Sequence, residues 1–110
     1  MEKVAVPSEG GRFARHFGRC SEYTLFEIEG TEVKNKKIID NPGHQPGFLP
    51  RFLRDKGVDC VLASGMGRKA RDIFAENGIK VITGLSGPVE EGVNNYLRDN
   101  LEPGENLCDH

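Results

Sequence analysis

Two apolar runs, "DCVLAS" (59–64) and "IKVIT" (79–83), each followed by a glycine-containing turn and an amphipathic stretch, constrain this 110-residue chain more than anything else in it. Short continuous apolar runs bounded by turn signals are the pattern of strands buried on both faces. Between them, 68–77 presents Ala70, Ile73 and Phe74 on one face and stops at Gly78. After the second run, 88–98 presents Val89, Val93, Tyr96 and Leu97, with Pro88 suited to a first helical position and Glu90 and Glu91 favourable in a first turn. Strand–helix–strand–helix order implies a parallel sheet with right-handed crossovers.

The first half has a different grammar. "KVAV" (3–6) predicts a short strand stopped by Pro7 and the polar loop after it. In "YTLFEIEG" (23–30), Thr24, Phe26 and Ile28 alternate with Tyr23, Leu25 and Glu27, the period of a strand. Gly30 and Thr31 suit a hairpin turn into the lysine-rich 32–40, as fits an exposed edge strand that must resist pairing with other chains. A Pro/Gly loop (40–47) precedes a helix over "FLPRFLRDKG", with Phe48, Leu49, Phe52 and Leu53 on one face, Pro50 in the first turn and Gly57 at the end. The expected architecture is α/β: a five-stranded mixed sheet with the second strand antiparallel to the other four, the first strand central, and helices on both faces. Residues 1–98 read as a single α/β domain, and 99–110, which has no apolar period, as a flexible tail.

Bulk properties narrow function by exclusion. Hydrophobic content of 36% and charged content of 29% suit a globular domain, and a net charge of −2 provides no global field for nucleic acid. No apolar run approaches a membrane span, and the start reads straight into a strand with no signal peptide, so a cytoplasmic location is expected. Three cysteines, Cys20, Cys60 and Cys108, do not make a disulfide framework. There is no CxxC, HExxH or P-loop.

The topology gathers the chemistry at one rim. The loop before the second strand ("GGRFARHFGRCS"), the loop after the third ("DNPGHQPG"), "GMGRK" and "GLSGP" all fall at the end of the sheet where the first strand finishes. Open α/β sheets bind ligands outside the carboxyl ends of their strands. This rim holds His16, Cys20, His44, Arg12, Arg15, Arg19, Arg68, Lys69 and many glycines. Glycines let backbone amides approach a ligand, arginines and helix N-termini favour an anion, and histidine and cysteine are donors for iron, copper or zinc. A mononuclear zinc site would show three or four ligands at tight spacing, which is absent here. An anionic metal–sulfur cluster needs one or two donors and a positive, glycine-lined cradle.

The segments "RHFGRCSEYTLFEIEG", "LPRFLRDKGVDCVLASGMGRKARDIFAENGIKVITG", "GPVEEGVNNYL" and the ending "GENLCDH" resemble the dinitrogenase iron–molybdenum cofactor binding family, in the same order over nearly the whole chain. The resemblance implies a ribonuclease-H-like three-layer fold, a role in carrying cofactor precursors, and a cluster-ligand role for His16, which matches the family's "HFG" histidine. Some relatives carry a histidine- and glycine-rich stretch after the third strand; this chain has only "PGHQPG" there.

The expected function is therefore a non-enzymatic carrier or scaffold for an iron–sulfur or iron–molybdenum–sulfur cluster or its precursor, held transiently. His16 would donate to a metal, with Cys20 as a second ligand and His44, Cys108 and His110 as weaker candidates. Arg15, Arg19, Arg68 and the backbone of Gly65, Met66 and Gly67 would hold the anionic periphery. Phe13 and Phe17 suit anchoring of the loop to the core better than stacking on bases, and Cys60 suits the core. Partners would be the cluster cargo and cluster-synthesis or acceptor proteins, with no nucleic acid, no membrane and a monomeric state. Two alternatives are a ribonuclease-H-type nuclease and a metal-free anion-binding regulatory domain. The first needs several carboxylates for its metal ions, and near this rim only Glu9, Glu22 and Asp40 are available.

Overall fold

The computed structural model describes residues 2–17, 20–41 and 48–98, with 48 and 49 described in backbone only. The elements are β1 (Glu2–Glu9), β2 (Arg12–Phe13), β3 (Glu22–Glu29), β4 (Glu32–Asp40), α1 (Phe48–Asp55), β5 (Cys60–Leu62), α2 (Arg68–Glu76), β6 (Lys80–Ile82) and α3 (Val89–Leu97). The sheet order is β4-β3-β1-β5-β6, with β2 pairing β1 off this path. β3 runs antiparallel to β1 and β4, while β1, β5 and β6 are mutually parallel. The expected alternation of an antiparallel half and a crossover half is therefore present.

Three details correct the sequence reading. The sheet has six strands rather than five, because Gly10 (φ 59°) and Gly11 (φ 83°) fold the chain back so that Phe13 and Arg12 pair with Ser8 and Glu9. β1 does not stop at Pro7. Pro7 stands opposite Tyr23, and its carbonyl accepts from the Ala14 N–H at 2.9 Å. The proline nitrogen lies on that same edge of the strand, beyond the β5 ladder, which ends at Ala5 and Val61. The missing donor thus breaks no ladder bond. Finally, β6 is not a fully buried strand: Lys80 is exposed and Val81 and Ile82 are half-buried, because β6 ends the sheet order and has one neighbour.

Strand alternation feeds two cores. Ala5, Tyr23, Leu25, Val61 and Ala63 point to the face covered by α1 and α2, where they meet Leu53 and Phe74. Val4, Val6, Phe26, Ile28, Cys60 and Leu62 point to the other face, under Val89 and Val93 of α3. Helices thus cover both faces. Full burial of a side chain such as Phe74 contributes about 1.5–3 kcal/mol. β4 is exposed along nearly its whole length, including Val33 and Ile38, and lysines on such a long edge disfavour pairing with another chain. Among the described residues no helix is long and apolar enough to cross a membrane.

Candidate functional site

The loops at the carboxyl end of β1 are tied together by backbone hydrogen bonds. The Phe13 N–H donates to the Gly87 carbonyl (2.9 Å), and the Val89 N–H returns to the Gly11 carbonyl (3.0 Å). The Phe17 N–H donates to the Gly65 carbonyl (3.0 Å), which joins the "HFG" loop to the "GMG" turn. Asn41, just after β4, donates through its backbone to the Ser21 carbonyl (3.1 Å) and through its side chain to the Cys20 carbonyl (2.8 Å). Among the described residues, the loops of this rim are thus joined to one another by hydrogen bonds.

Phe17 anchors it. The ring is buried, tilted against Tyr23 (centroids 5.6 Å apart) and edge-on to Phe74 (5.4 Å). Its carbonyl accepts two hydrogen bonds, from the Tyr23 hydroxyl (2.9 Å) and the Cys20 thiol (3.3 Å). Burial pushes both the Tyr23 phenol and the Cys20 thiol up from their ordinary pKa values, so both groups stay protonated donors near neutral pH. Arg15 and His16, immediately before this anchor, are exposed.

The other wall is the turn into α2. Gly65 and Met66 are buried, the Met66 side chain within the α1/α2-side core, while Gly67, Arg68 and Lys69 are exposed. Gly67 is the N-cap of α2 and no side chain caps the helix there. Its backbone (φ −67°, ψ 157°) is open to any residue, and a Cβ built on it would meet no atom within 4 Å. Among the described residues no strain or contact requires glycine at 67, where it serves only as one of several favoured N-cap residues, in contrast to Gly92, whose Cβ would fall 2.5 Å from the Phe13 ring. Arg68 also lines an open groove of about 370 Å³ with Arg71, Asp72, Ala75, Ile79 and Val81. A first turn carrying Arg68 and Lys69 and no acid opposes the helix dipole unless an anion lies beside it.

The structure thus gathers Arg15, His16, Cys20, Gly65, Met66, Gly67 and Arg68 on the two bonded loops. Cys20 is buried with its thiol engaged, and Met66 is fully buried, backbone and side chain alike, so that of the turn residues only Gly67 reaches the surface. Arg19, His44, Cys108 and His110 lie outside the described residues. Cys60 is core, under α3. Tyr23 escaped the sequence reading: an aromatic residue at a strand start looks like packing, and no local pattern shows its hydroxyl reaching back to residue 17. Among the described residues no three His, Cys, Asp or Glu side chains are grouped so as to hold a metal ion. Glu22, one of three carboxylates weighed for a nuclease, instead accepts from Ser8, whose hydroxyl is 2.8 Å from that of buried Thr24.

Comparison with known proteins gives a consistent picture. The family model described as dinitrogenase iron-molybdenum cofactor matches residues 1–99. An uncharacterized protein of Methanocaldococcus jannaschii is 33% identical over 96% of this chain and 93% of its own length. The crystal structure of PH0822 superposes with a TM-score of 0.87 at 34% identity, covering 92% of this chain and 93% of that one. The FeMo cofactor biosynthesis protein NifB of Rhodobacter capsulatus is 30% identical over 69% of this chain, a match that spans 19% of that longer protein.

Proposed function

The chain belongs to the dinitrogenase iron-molybdenum cofactor family, and from that premise we propose that it is a non-enzymatic carrier or scaffold whose cargo is an anionic iron–sulfur or iron–molybdenum–sulfur cluster. The observation that carries this reading is Gly67: an exposed helix N-cap with no side-chain cap, no strained backbone and no internal contact to explain its missing Cβ. Such a position leaves room for a bulky anion to approach the α2 amides. His16, exposed on the loop bonded to this turn, would donate its imidazole to a metal of the cargo. Arg15, Arg19 and Arg68 would neutralise the periphery, together with amides of Gly65, Met66 and Gly67.

Cys20 would serve as a second donor only after its thiol left the Phe17 carbonyl and lost a proton that burial holds on. His44, Cys108 and His110 remain weaker donors. The fold is read as ribonuclease-H-like with residues 1–98 as the working domain, monomeric and cytoplasmic, exchanging cargo with cluster-synthesis or acceptor proteins and with no nucleic-acid role. The kinship with a FeMo cofactor biosynthesis protein supports this assignment.

Anaerobic titration with a synthetic four-iron, four-sulfur thiolate cluster tests the reading. Loss of groups that merely orient a metal ligand costs roughly 10–100-fold in affinity, so His16→Ala, which removes the donor itself, should cost at least roughly 100-fold. Its stability should stay within about 0.5 kcal/mol of the parent, because the side chain is exposed. Gly67→Ala should likewise change stability by no more than about 0.5 kcal/mol, since lost chain freedom and a poorer cap oppose each other, while weakening binding. Undiminished affinity in both variants would remove the rim as the binding site.

A further inference from the structure

Tyr23 has no place in the cargo contacts proposed above. It is fully buried, its ring lies in the α1/α2-side core, and it sits at the start of a strand. Yet its hydroxyl is spent on the carbonyl of Phe17, the residue directly after His16 and the one whose N–H reaches Gly65. Packing alone would be met by phenylalanine. A phenol buried this deeply must have a partner, since an unpaired buried hydroxyl costs about 1–3 kcal/mol. The partner here is the peptide that sets where the "HFG" loop stands relative to the "GMG" turn.

We infer that Tyr23 is a positioning residue for His16: its hydroxyl, through the Phe17 carbonyl, holds the imidazole-bearing loop at a fixed spacing from the N-terminus of α2. The carbonyl is gripped by Tyr23 and Cys20 while the amide of the same residue is gripped by Gly65, so residue 17 can shift neither toward nor away from the turn without losing a bond. His16 is one peptide away and inherits that constraint. In this arrangement the thiol of Cys20 is the second, weaker hand on the same oxygen rather than a group facing the cargo. The inference rests on the carrier reading for its effect on binding, but not for its effect on the loop.

The experiment is Tyr23→Phe, which keeps the ring and deletes the hydroxyl, read in two ways. Backbone and imidazole resonances of His16, and the amides of Phe17 and Gly67, should move, and the Phe17 amide should exchange faster with solvent. In anaerobic titration with the synthetic four-iron, four-sulfur thiolate cluster, affinity should fall roughly 10-fold, the scale for loss of a group that orients a metal ligand. In a His16→Ala background the same substitution should cost nothing further. Lower melting temperature with unmoved His16 resonances, or an equal loss of affinity with and without His16, overturns the inference. If the parent protein binds no cluster, the carrier reading falls, and the resonances and exchange alone decide whether Tyr23 sets the loop.

Discussion

Helices α2 and α3 both begin at the same rim, and neither N-cap makes a side-chain hydrogen bond, but their first turns are built with opposite charge. α3 starts at Val89, whose N–H is taken by the Gly11 carbonyl, and follows with Glu90 and Glu91. Glu90 is further paired with Lys36 of β4. The positive end of that helix is answered from within the chain. α2 starts with Arg68 and Lys69 after an exposed glycine and has no acid in its first turn. The difference teaches that a helix N-terminus acts as an anion site only when the chain leaves it unanswered. By that criterion, among the described residues, α2 is the helix that fits the cargo site proposed above and α3 is the one that does not.

The two helices also each seal a thiol, which yields the largest expected effect. Cys20 lies in the core under α2 and Cys60 in the core under α3. Burial raises the Cys60 thiol from 9.0 to about 11. Because the folded state holds the proton more tightly, this contribution is fully present below about pH 8.5–9 and is lost as pH rises through 9 toward 11. The loss at pH 11 should reach roughly 2–3 kcal/mol. Urea unfolding at stepped alkaline pH would measure it, and Cys60→Ala should flatten the slope in that window. A slope unchanged by the substitution would place the alkaline sensitivity elsewhere.

Next comes the docking of α3. Gly92→Ala forces a Cβ to within 2.5 Å of the Phe13 ring and should cost about 1–3 kcal/mol, the usual penalty of overpacking. A second-site Phe13→Leu change should recover part of it, as chemical denaturation would show. If α3 takes no part in the cargo site proposed above, binding per folded molecule should survive both changes.

The smallest effect in energy is the sharpest for the comparison. Arg68→Glu should stabilise α2 by about 0.3–1 kcal/mol while weakening cluster binding, with the weakening most visible at low salt. Glu90→Arg should destabilise α3 by a similar amount and leave binding intact. Melting curves and titrations of the pair would show stability and affinity moving in opposite directions at α2 and only stability moving at α3. Parallel behaviour at both helices would break the distinction.

Much of this was legible in the sequence. The apolar runs at 59–64 and 79–83 and the alternation at 23–30 located three of the strands, because burial on both faces and strand pleat write themselves into hydrophobic pattern. That pattern does not record which backbone edge is paired. Pro7 reads as a stop, yet its nitrogen falls where no ladder bond is needed, and Gly10-Gly11 reads as loop although two further residues pair beyond it. The half-exposure of β6 follows from its place in the sheet order rather than from its composition. At the site, "HFG" and "GMG" stand out as unusual local clusters, while the Tyr23 hydroxyl depends on a contact six residues back that only the folded loop creates.

The rim is joined mainly through main-chain groups: Phe13 to Gly87, Val89 to Gly11, Phe17 to Gly65. Bonds of that kind do not depend on the identity of side chains facing solvent. Positions 15, 16, 68 and 69 are therefore a replaceable alphabet on a fixed page, each exchangeable with stability changes of no more than about 1 kcal/mol. On the carrier reading proposed above, a library randomised at those four positions should keep its fold in most members while its cargo preference diverges.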